Sequence, residues 1–283
     1  MSGERRTAEP PDPRALLKLH GLVAKRGLSQ NFLVNRGAVS RIAELAAEAP
    51  TRRVIEIGPG LGTLTAALLS RGVEVVAVER DPDMCEVLAA ELGGDPGFTL
   101  VQADAIELDY AARLGEGAAV ICGNLPYGIT GPLLRRFADL DVPGLRVVVM
   151  VQLEVAQRIV ARTDDRRRGA LTVLLDARFE TRLALRLSPG SFHPRPKVSS
   201  AVIVMTRRSA PLTAGLDLGA FDTVVKAAFS ARRKTMRNAL AGGLGVGTDR
   251  AEALCRSAGI DPGERAERLD TAAFVALAAA FVG

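Results

Sequence analysis

The stretch Asn124-Leu125-Pro126-Tyr127 has the residue types best suited to chemistry. An Asn side chain offers a carbonyl acceptor and an amide donor, and a Pro restricts both its own φ and the conformation of the residue before it. Backbone carbonyls in such a stretch can point into a pocket, and Tyr127 adds a flat aromatic face. Together these groups can accept hydrogens from an exocyclic amine and stack on the ring that carries it. The stretch therefore predicts a receptor for a flipped-out nucleobase.

This stretch follows an apolar run at residues 118–123, which predicts a buried strand with Asn124 at its carboxyl end. In open α/β sheets, ligands bind at the carboxyl ends of the strands. Three further features end predicted strands in the same way: the glycine turn Gly58–Gly62 after Val54–Ile57, Glu79 after Val73–Val78, and Asp104 after Phe98–Val101. Four such features at successive strand ends predict a common site along one edge of a sheet.

Each of these strand ends suits part of an adenosyl group. A glycine turn opening a helix presents backbone N–H groups, although a purely structural turn is the alternative. A dinucleotide fingerprint would place glycine at the sixth position of the turn, where Thr63 stands, so a pyrophosphate ligand is disfavoured. The Glu79 carboxylate can accept from both hydroxyls of a ribose, and the Asp104 carboxylate can accept from an adenine amino group. The set predicts an adenosyl cofactor.

Composition limits the class of protein. A chain of 283 residues with 48% apolar residues predicts one large and one small domain. The net charge of +5 and pI of about 9.5 allow a polyanionic partner. No apolar run is long enough to span a bilayer, no signal sequence is visible, and the three cysteines lack metal-ligand spacing. We expect a reduced, cytoplasmic protein without a structural metal and without a membrane partner.

Strands that alternate with helical spacers predict an α/β fold with a mostly parallel, doubly wound sheet. Further predicted strands lie at 145–150, 170–177 and 198–206, and predicted helices at 14–20, 38–47, 63–71 and 154–161. Small and polar residues at 207–216 predict a linker, and helices follow it. We predict a partly disordered segment at 1–20, a Rossmann-like domain at 21–208 and a small all-α domain at 209–283.

Taken together, the motifs resemble those of the ribosomal RNA adenine dimethyltransferases, a family of class I methyltransferases that use S-adenosylmethionine. The resemblance covers nearly all of the chain after residue 20. It is carried by Gln30-Asn31-Phe32-Leu33, Glu56–Gly62, Glu79, Asp104, Asn124–Tyr127, Phe192–Val198, Phe229–Asn238 and Gly259-Ile260-Asp261-Pro262.

The resemblance implies a role for each matching residue. Contacts to S-adenosylmethionine are implied for Asn31, Leu33, Gly58, Glu79, Asp104 and Asn124. Asn124 and the Leu125 carbonyl are implied to accept hydrogens from the target N6 amine. Pro126 follows them in the same catalytic stretch and leads to Tyr127. Tyr127 and Phe192 are implied to stack on the adenine. From the residues alone, the favoured role of Phe192 is to anchor its loop in the core.

Basic residues fall in separate clusters that predict contacts with the rRNA backbone. The predicted RNA-binding residues are Lys25, Arg26, Arg232, Arg233, Lys234 and Arg237, and Arg166–Arg168 form a further cluster.

The predicted reaction is dimethylation of two adjacent adenosines near the 3′ end of small-subunit rRNA, by a monomer acting on a pre-30S particle in ribosome biogenesis. Leu125 and the tail resemble the housekeeping branch of the family, whereas Ser29 stands where that branch usually has Gly. Two alternatives stay open: a macrolide-resistance enzyme that modifies large-subunit rRNA, and a ribosome-assembly factor whose methylation is incidental.

Overall fold

The computed structural model describes residues 11–28, 30–49, 53–114 and 119–282, and the side chain of Arg26 lies outside this description, as does Ser29. The described chain forms two compact units. The first contains residues up to Ala156 together with Arg182–Thr206, and the second joins Gln157–Thr181 to the chain from Arg207 onward. The second unit thus takes in residues 157–181, which the sequence analysis assigns to the first domain.

Most strands belong to the first unit. Up to residue 159 the elements are α1 (Pro13–Leu19), β1 (Phe32–Leu33), α2 (Arg36–Ala47), β2 (Arg53–Ile57), α3 (Thr63–Leu69), β3 (Glu74–Glu79), α4 (Pro82–Leu92), β4 (Phe98–Gln102), α5 (Ala111–Leu114), β5 (Val120–Asn124), α6 (Thr130–Asp139), β6 (Arg146–Gln152) and α7 (Leu153–Ile159). The remaining elements are α8 (Ala170–Asp176), β7 (Phe179–Leu187), β8 (Phe192–His193), β9 (Ser200–Arg207), α9 (Leu218–Ala228), α10 (Met236–Leu244), α11 (Thr248–Ser257) and α12 (Thr271–Val282).

Seven strands form the main sheet in the order β4-β3-β2-β5-β6-β9-β7. Strands β2 to β6 pair in parallel, and β9 runs antiparallel to β6. Apart from Glu56 and the polar residues at their ends, the middle strands β2, β5 and β6 are apolar and buried, as expected where a parallel sheet is covered on both faces. The predicted α/β fold with a helical carboxyl-terminal part is confirmed.

A separate two-stranded ladder lies outside the main sheet. Its strands β1 and β8 pair antiparallel, with Phe32 opposite His193 and Leu33 opposite Phe192. The ladder therefore joins the amino-terminal Gln30–Leu33 motif to the loop that carries Phe192.

The second unit has its own apolar core. Helices α9 to α12 and α8 bury Phe221, Val224, Leu240, Leu254 and Phe274, each at most 3% exposed. Residues Val173, Leu174 and Ala177 join this core, which explains why the segment 157–181 belongs to the second unit.

The predicted strand at 170–177 is wrong, because Ala170–Asp176 forms the helix α8. A short apolar run cannot be assigned to strand or helix by periodicity alone. Here the Thr172 hydroxyl accepts from the Gly169 N–H at 3.1 Å and donates to the Arg158 carbonyl at 2.7 Å, which secures the first turn of the helix. The strand of this region, β7, begins only at Phe179.

No helix in the described residues is both long and apolar enough to cross a membrane.

Candidate active site

The carboxyl edge of the sheet carries a cavity of about 260 Å³. Because β4, β3, β2 and β5 are neighbours, the residues at their carboxyl ends meet around this cavity. It is lined by every residue that the sequence analysis assigns to cofactor binding: Asn31, Leu33, Gly58, Glu79, Asp104 and Asn124. Their juxtaposition is the arrangement that the strand-end pattern predicts.

The glycine turn after β2 needs glycine for two reasons. Gly62, the residue before α3, has φ +77°, in the left-handed region that glycine adopts without strain. A Cβ atom there would also lie 2.8 Å from the Leu92 side chain. The turn therefore packs the start of α3 closely against α4, and Thr63 and Leu64 of α3 line the cavity.

The Glu79 carboxylate is tied to the backbone around it. One oxygen accepts from the Gly60 N–H at 3.1 Å, and the other accepts from the N–H groups of Arg80 at 2.8 Å and Asp81 at 2.9 Å. Burial raises the pKa of Glu79, and these three hydrogen bonds oppose that shift. Since an ionised carboxylate has about four lone-pair sites, the group can hold the glycine turn and still accept a hydroxyl.

Asp104 is held in a similar way beyond the end of β4. Its Oδ1 accepts from the Ile106 N–H at 2.9 Å, and its Oδ2 lies 3.3 Å from the Arg80 guanidinium. The carboxylate thereby faces the cavity from a fixed turn, next to Glu79 along the sheet edge.

Asn124 has a defined amide orientation. Its Nδ2 donates to the Asn31 carbonyl at 3.0 Å, which leaves Oδ1 as the acceptor for a ligand. Gly123, with φ +143°, places this residue: a Cβ atom at position 123 would lie 2.2 Å from the Ile57 carbonyl oxygen. Leu125 follows with its N–H bonded to the Met150 carbonyl at 3.1 Å. Contacts with Asn31, Ile57 and Met150 thus fix the polar end of β5.

The two predicted stacking residues lie in different surroundings. Tyr127 lines the cavity, and its hydroxyl is 3.1 Å from the Ser200 hydroxyl. Phe192 is 3% exposed and packs in the core cluster of the first unit with Leu33 and Ile42. Phe192 is not one of the described residues that line the cavity. Its stacking role therefore stays a prediction, whereas its role as a core anchor is seen directly.

Glu56 is a cavity residue to which the sequence analysis gives no role of its own. It lies within β2 at 1% exposure and lines the cavity floor. In the described structure its Oε2 has no hydrogen-bond partner. Burial raises the pKa of Glu56 to about 8; the Thr65 hydroxyl opposes the shift, and the Glu79 charge adds to it. The sequence does contain one sign of this role, because Glu56 is a carboxyl residue inside the otherwise apolar run Val54–Ile57.

Lys25 is engaged by acidic side chains rather than exposed as a free cation. Its Nζ lies 2.6 Å from Asp81 and 2.7 Å from Asp83. Hydrogen bonds to these carboxylates raise the pKa of Lys25. Its partner in the predicted basic cluster, Arg26, has a side chain outside the described residues.

The other predicted RNA-binding residues lie on the surface of the second unit: Arg232, Arg233, Lys234 and Arg237 are all exposed. Arg232 donates to the Arg166 carbonyl at 2.6 Å and so links two predicted basic clusters. The prediction for Arg168 is wrong, because its side chain is 4% exposed and donates to the Ala161 carbonyl and the Thr271 hydroxyl. Arg168 supports the fold of the second unit instead of binding a partner.

In the described residues, no three His, Cys, Asp or Glu side chains gather as a metal site requires.

Known proteins resemble the chain over most of its length. The ribosomal RNA small subunit methyltransferase A of Anaeromyxobacter sp. (strain K) is 44% identical over 277 residues, which cover 94% of this chain and 96% of that relative. The protein of the same name from Myxococcus xanthus is 41% identical and covers 94% of this chain and 93% of its own length.

Solved structures agree with the fold. The 23S rRNA methyltransferase ErmE is 28% identical with a TM-score of 0.68, and the match covers 89% of this chain and 100% of that one. A dimethyladenosine transferase from Plasmodium falciparum is 22% identical with a TM-score of 0.73, over 87% of this chain and 95% of its own. The sequence profile described as ribosomal RNA adenine dimethylase matches residues 21–281, so the chain belongs to that family of methyltransferases.

Proposed function

We propose that this protein transfers methyl groups from S-adenosylmethionine to the N6 amines of adenosines in small-subunit rRNA, giving N6,N6-dimethyladenosine. The observation that carries the proposal is the meeting of Asp104, Glu79, Gly58 and Asn124 around one cavity at adjacent strand ends. The choice of the small subunit is supported by relatives at 44% and 41% identity that bear that name.

The cavity fits S-adenosylmethionine chemically, and the family implies its use. Asp104 would accept from the adenine amino group and Glu79 from a ribose hydroxyl. Glu56 presents a buried carboxyl oxygen without a partner, which matches the ammonium group of the methionine part. When bound, this cofactor supplies an electrophilic methyl group on a sulfonium.

The catalytic work of the chain is alignment, since a sulfonium methyl needs no enzyme nucleophile. With its Nδ2 bonded to Asn31, the Asn124 side chain offers Oδ1 to one hydrogen of the target amine. The Leu125 carbonyl is the second acceptor in this proposal. In the first transfer, holding both N6 hydrogens out of the ring plane favours a pyramidal nitrogen whose lone pair is directed at the methyl group, and N6 then releases one of these protons to water.

Tyr127 would hold the target base. Its ring lines the cavity, and the hydrogen bond between its hydroxyl and Ser200 limits rotation of the side chain. Stacking on an aromatic face retains an extruded base without reading its sequence. A second stack from Phe192 remains part of the proposal on the strength of the family resemblance.

The second unit would bind RNA backbone. Its exposed cations Arg232, Arg233, Lys234 and Arg237 suit phosphate groups, which give position and salt-dependent affinity without sequence information. We further infer that the substrate is an assembling small subunit in the cytoplasm and that the enzyme acts as a monomer.

Mass spectrometry of rRNA tests the function directly. We expect small-subunit rRNA from cells lacking the protein to have lost dimethyladenosine, and the purified protein to restore it with S-adenosylmethionine. An Asn124→Ala variant should bind the cofactor product S-adenosylhomocysteine yet methylate at least about 100-fold more slowly. Unchanged dimethyladenosine in the deleted strain would refute the proposal.

A large-subunit substrate is the second candidate, because ErmE is 28% identical over most of the chain. In that case the modified adenosine would appear in large-subunit rRNA, and expression would confer macrolide tolerance. If instead the protein served only in assembly, Asn124→Ala would rescue every growth defect of the deletion strain.

A further inference from the structure

Asp81 is a buried carboxylate that follows closely on Glu79. It is 1% exposed and caps the start of α4 by accepting from the Asp83 N–H at 3.2 Å. Its Oδ1 also accepts from the Lys25 ammonium at 2.6 Å, and its Oδ2 accepts from the Gln30 amide at 2.6 Å. Burial opposes the charged form, yet the hydrogen bonds from Lys25 and Gln30 hold the pKa of Asp81 below its ordinary value. The charge of Asp81 is thus stabilised by side chains from a distant part of the chain.

Those two side chains belong to one segment, residues 25–28 and 30–33, which we call the strap. Its residues from Gly27 onward line the cavity. The Lys25 N–H donates to the Gln30 side-chain carbonyl at 2.8 Å, so the two residues that bind Asp81 also bind each other. One end of the strap is therefore fixed beside the strand end that carries Glu79.

The other end of the strap reaches the catalytic amide. The Asn31 carbonyl, next to Gln30, accepts from Asn124 Nδ2 at 3.0 Å. The Phe32 ring covers the glycine turn so closely that a Cβ atom at Gly60 would lie 2.9 Å from it. Movement of the strap would consequently loosen both the cofactor side of the cavity and the orientation of Asn124.

Lys25 has little freedom to act as a phosphate ligand. If its ammonium left for a phosphate, the buried Asp81 would lose its only cationic partner among the described contacts, and an uncompensated buried charge is unfavourable. Arg237 of the second unit also has an acidic partner, Glu252 at 3.3 Å, but that carboxylate is 30% exposed, so water can replace the cation.

We propose that Lys25 and Gln30 are positioning residues that bind Asp81, hold the strap against the cofactor side of the cavity and thereby set the carbonyl that orients Asn124. Lys25 then serves cofactor binding and not RNA binding. The inference rests on the proposed methyltransferase function.

The test compares cofactor and RNA affinity in the full-length protein. Lys25→Met keeps the aliphatic stem and removes the charge. We expect it to weaken S-adenosylhomocysteine binding in calorimetry at least ten-fold, and to change affinity for the small ribosomal subunit less than two-fold. Lys18→Met, an exposed lysine of α1, is the matched control and should change neither. In kinetics, Lys25→Met should raise KM for S-adenosylmethionine without raising KM for the rRNA substrate.

A second variant separates the ion pair from general damage to the fold. Asp81→Asn retains a side chain that caps helices well. In the double variant that combines Lys25→Met with Asp81→Asn, the unpaired buried charge is gone. We therefore expect the double variant to regain part of the cofactor affinity that Lys25→Met loses. Lys25→Arg, which keeps the charge, should bind the cofactor about as well as wild type. A Lys25→Met protein that keeps its cofactor affinity and loses RNA affinity would overturn the inference and leave the proposed function intact. Absence of S-adenosylhomocysteine binding by the wild-type protein would instead refute the proposed function.

Discussion

Replacing Glu56 by Gln should stabilise the cofactor-free protein at alkaline pH. Burial raises the pKa of this carboxyl from 4.5 to about 8. Between these values the folded protein keeps the proton and the unfolded chain releases it, so the unfolded state binds fewer protons and stability falls as pH rises. The loss begins above pH 4.5, grows through this window and levels off above about pH 8.

The magnitude follows from the two pKa values. Between pH 5.5 and pH 8, titration of Glu56 should lower the unfolding free energy of the wild-type protein by about 3 kcal/mol. This figure uses about 1.4 kcal/mol per unit of pKa difference. Glu56→Gln retains the shape of the side chain and removes the titration. The burial of Glu79 acts in the same direction, but it is present in both proteins and drops out of the comparison.

The assay is urea unfolding at pH 5.5 and pH 8, followed by circular dichroism. Glu107→Gln, on an exposed residue, is the control for loss of a carboxylate. Glu56→Gln should also weaken cofactor binding, because the neutral amide can accept from an ammonium group but cannot offset its charge. The variant should therefore be more stable without ligand and gain less stability from ligand. If Glu56→Gln leaves the pH dependence unchanged, or destabilises the ligand-free protein at pH 8, the reasoning fails.

Three further predictions follow from single residues. Gly123→Ala should destabilise the protein by more than about 3 kcal/mol in thermal unfolding, since the new Cβ would meet the Ile57 carbonyl at 2.2 Å, whereas Gly94→Ala, at an open position, should be nearly neutral. Arg233→Ala should lower affinity for rRNA and reduce the slope of log affinity against log salt by about one, and an unchanged slope would show that Arg233 does not touch phosphate. Cys122 is fully buried, and burial raises the pKa of its thiol, so it should not react with a thiol reagent until the protein unfolds; rapid labelling of the native protein would contradict this.

The strand ends of the site could be predicted from sequence because two features of the sequence indicate each of them. A buried apolar run fixes where a strand lies, and a polar residue or glycine directly after it fixes the carboxyl end, as at Glu79 and Asn124. Parallel pairing then brings these ends to one edge whatever the details of packing. The position of Gly58 follows from the same rule, whereas Asp104 lies two residues beyond the end of β4.

Features that depend on the partner of a side chain were not predictable in this way. Residues 170–176 have an apolar pattern compatible with a strand, and only their packing into the helical core of the second unit decides for α8. Lys25 and Arg168 are indistinguishable from surface cations in sequence, because the Asp81 carboxylate that binds Lys25 and the Thr271 hydroxyl that binds Arg168 come from distant positions. The place of residues 157–181 in the second unit has the same origin, since they contribute to a core made mainly after residue 207.

The ladder between β1 and β8 has a consequence for how the protein matures. Strand β1 precedes the whole parallel sheet in the chain, and strand β8 follows it, so β8 is synthesised after the parallel sheet. The strap therefore gains its pairing with β8 only after the strand ends around the cavity have been made, in addition to its contacts with Asp81 and Asn124. Competence to methylate should appear late in synthesis, once Phe192 has left the ribosome.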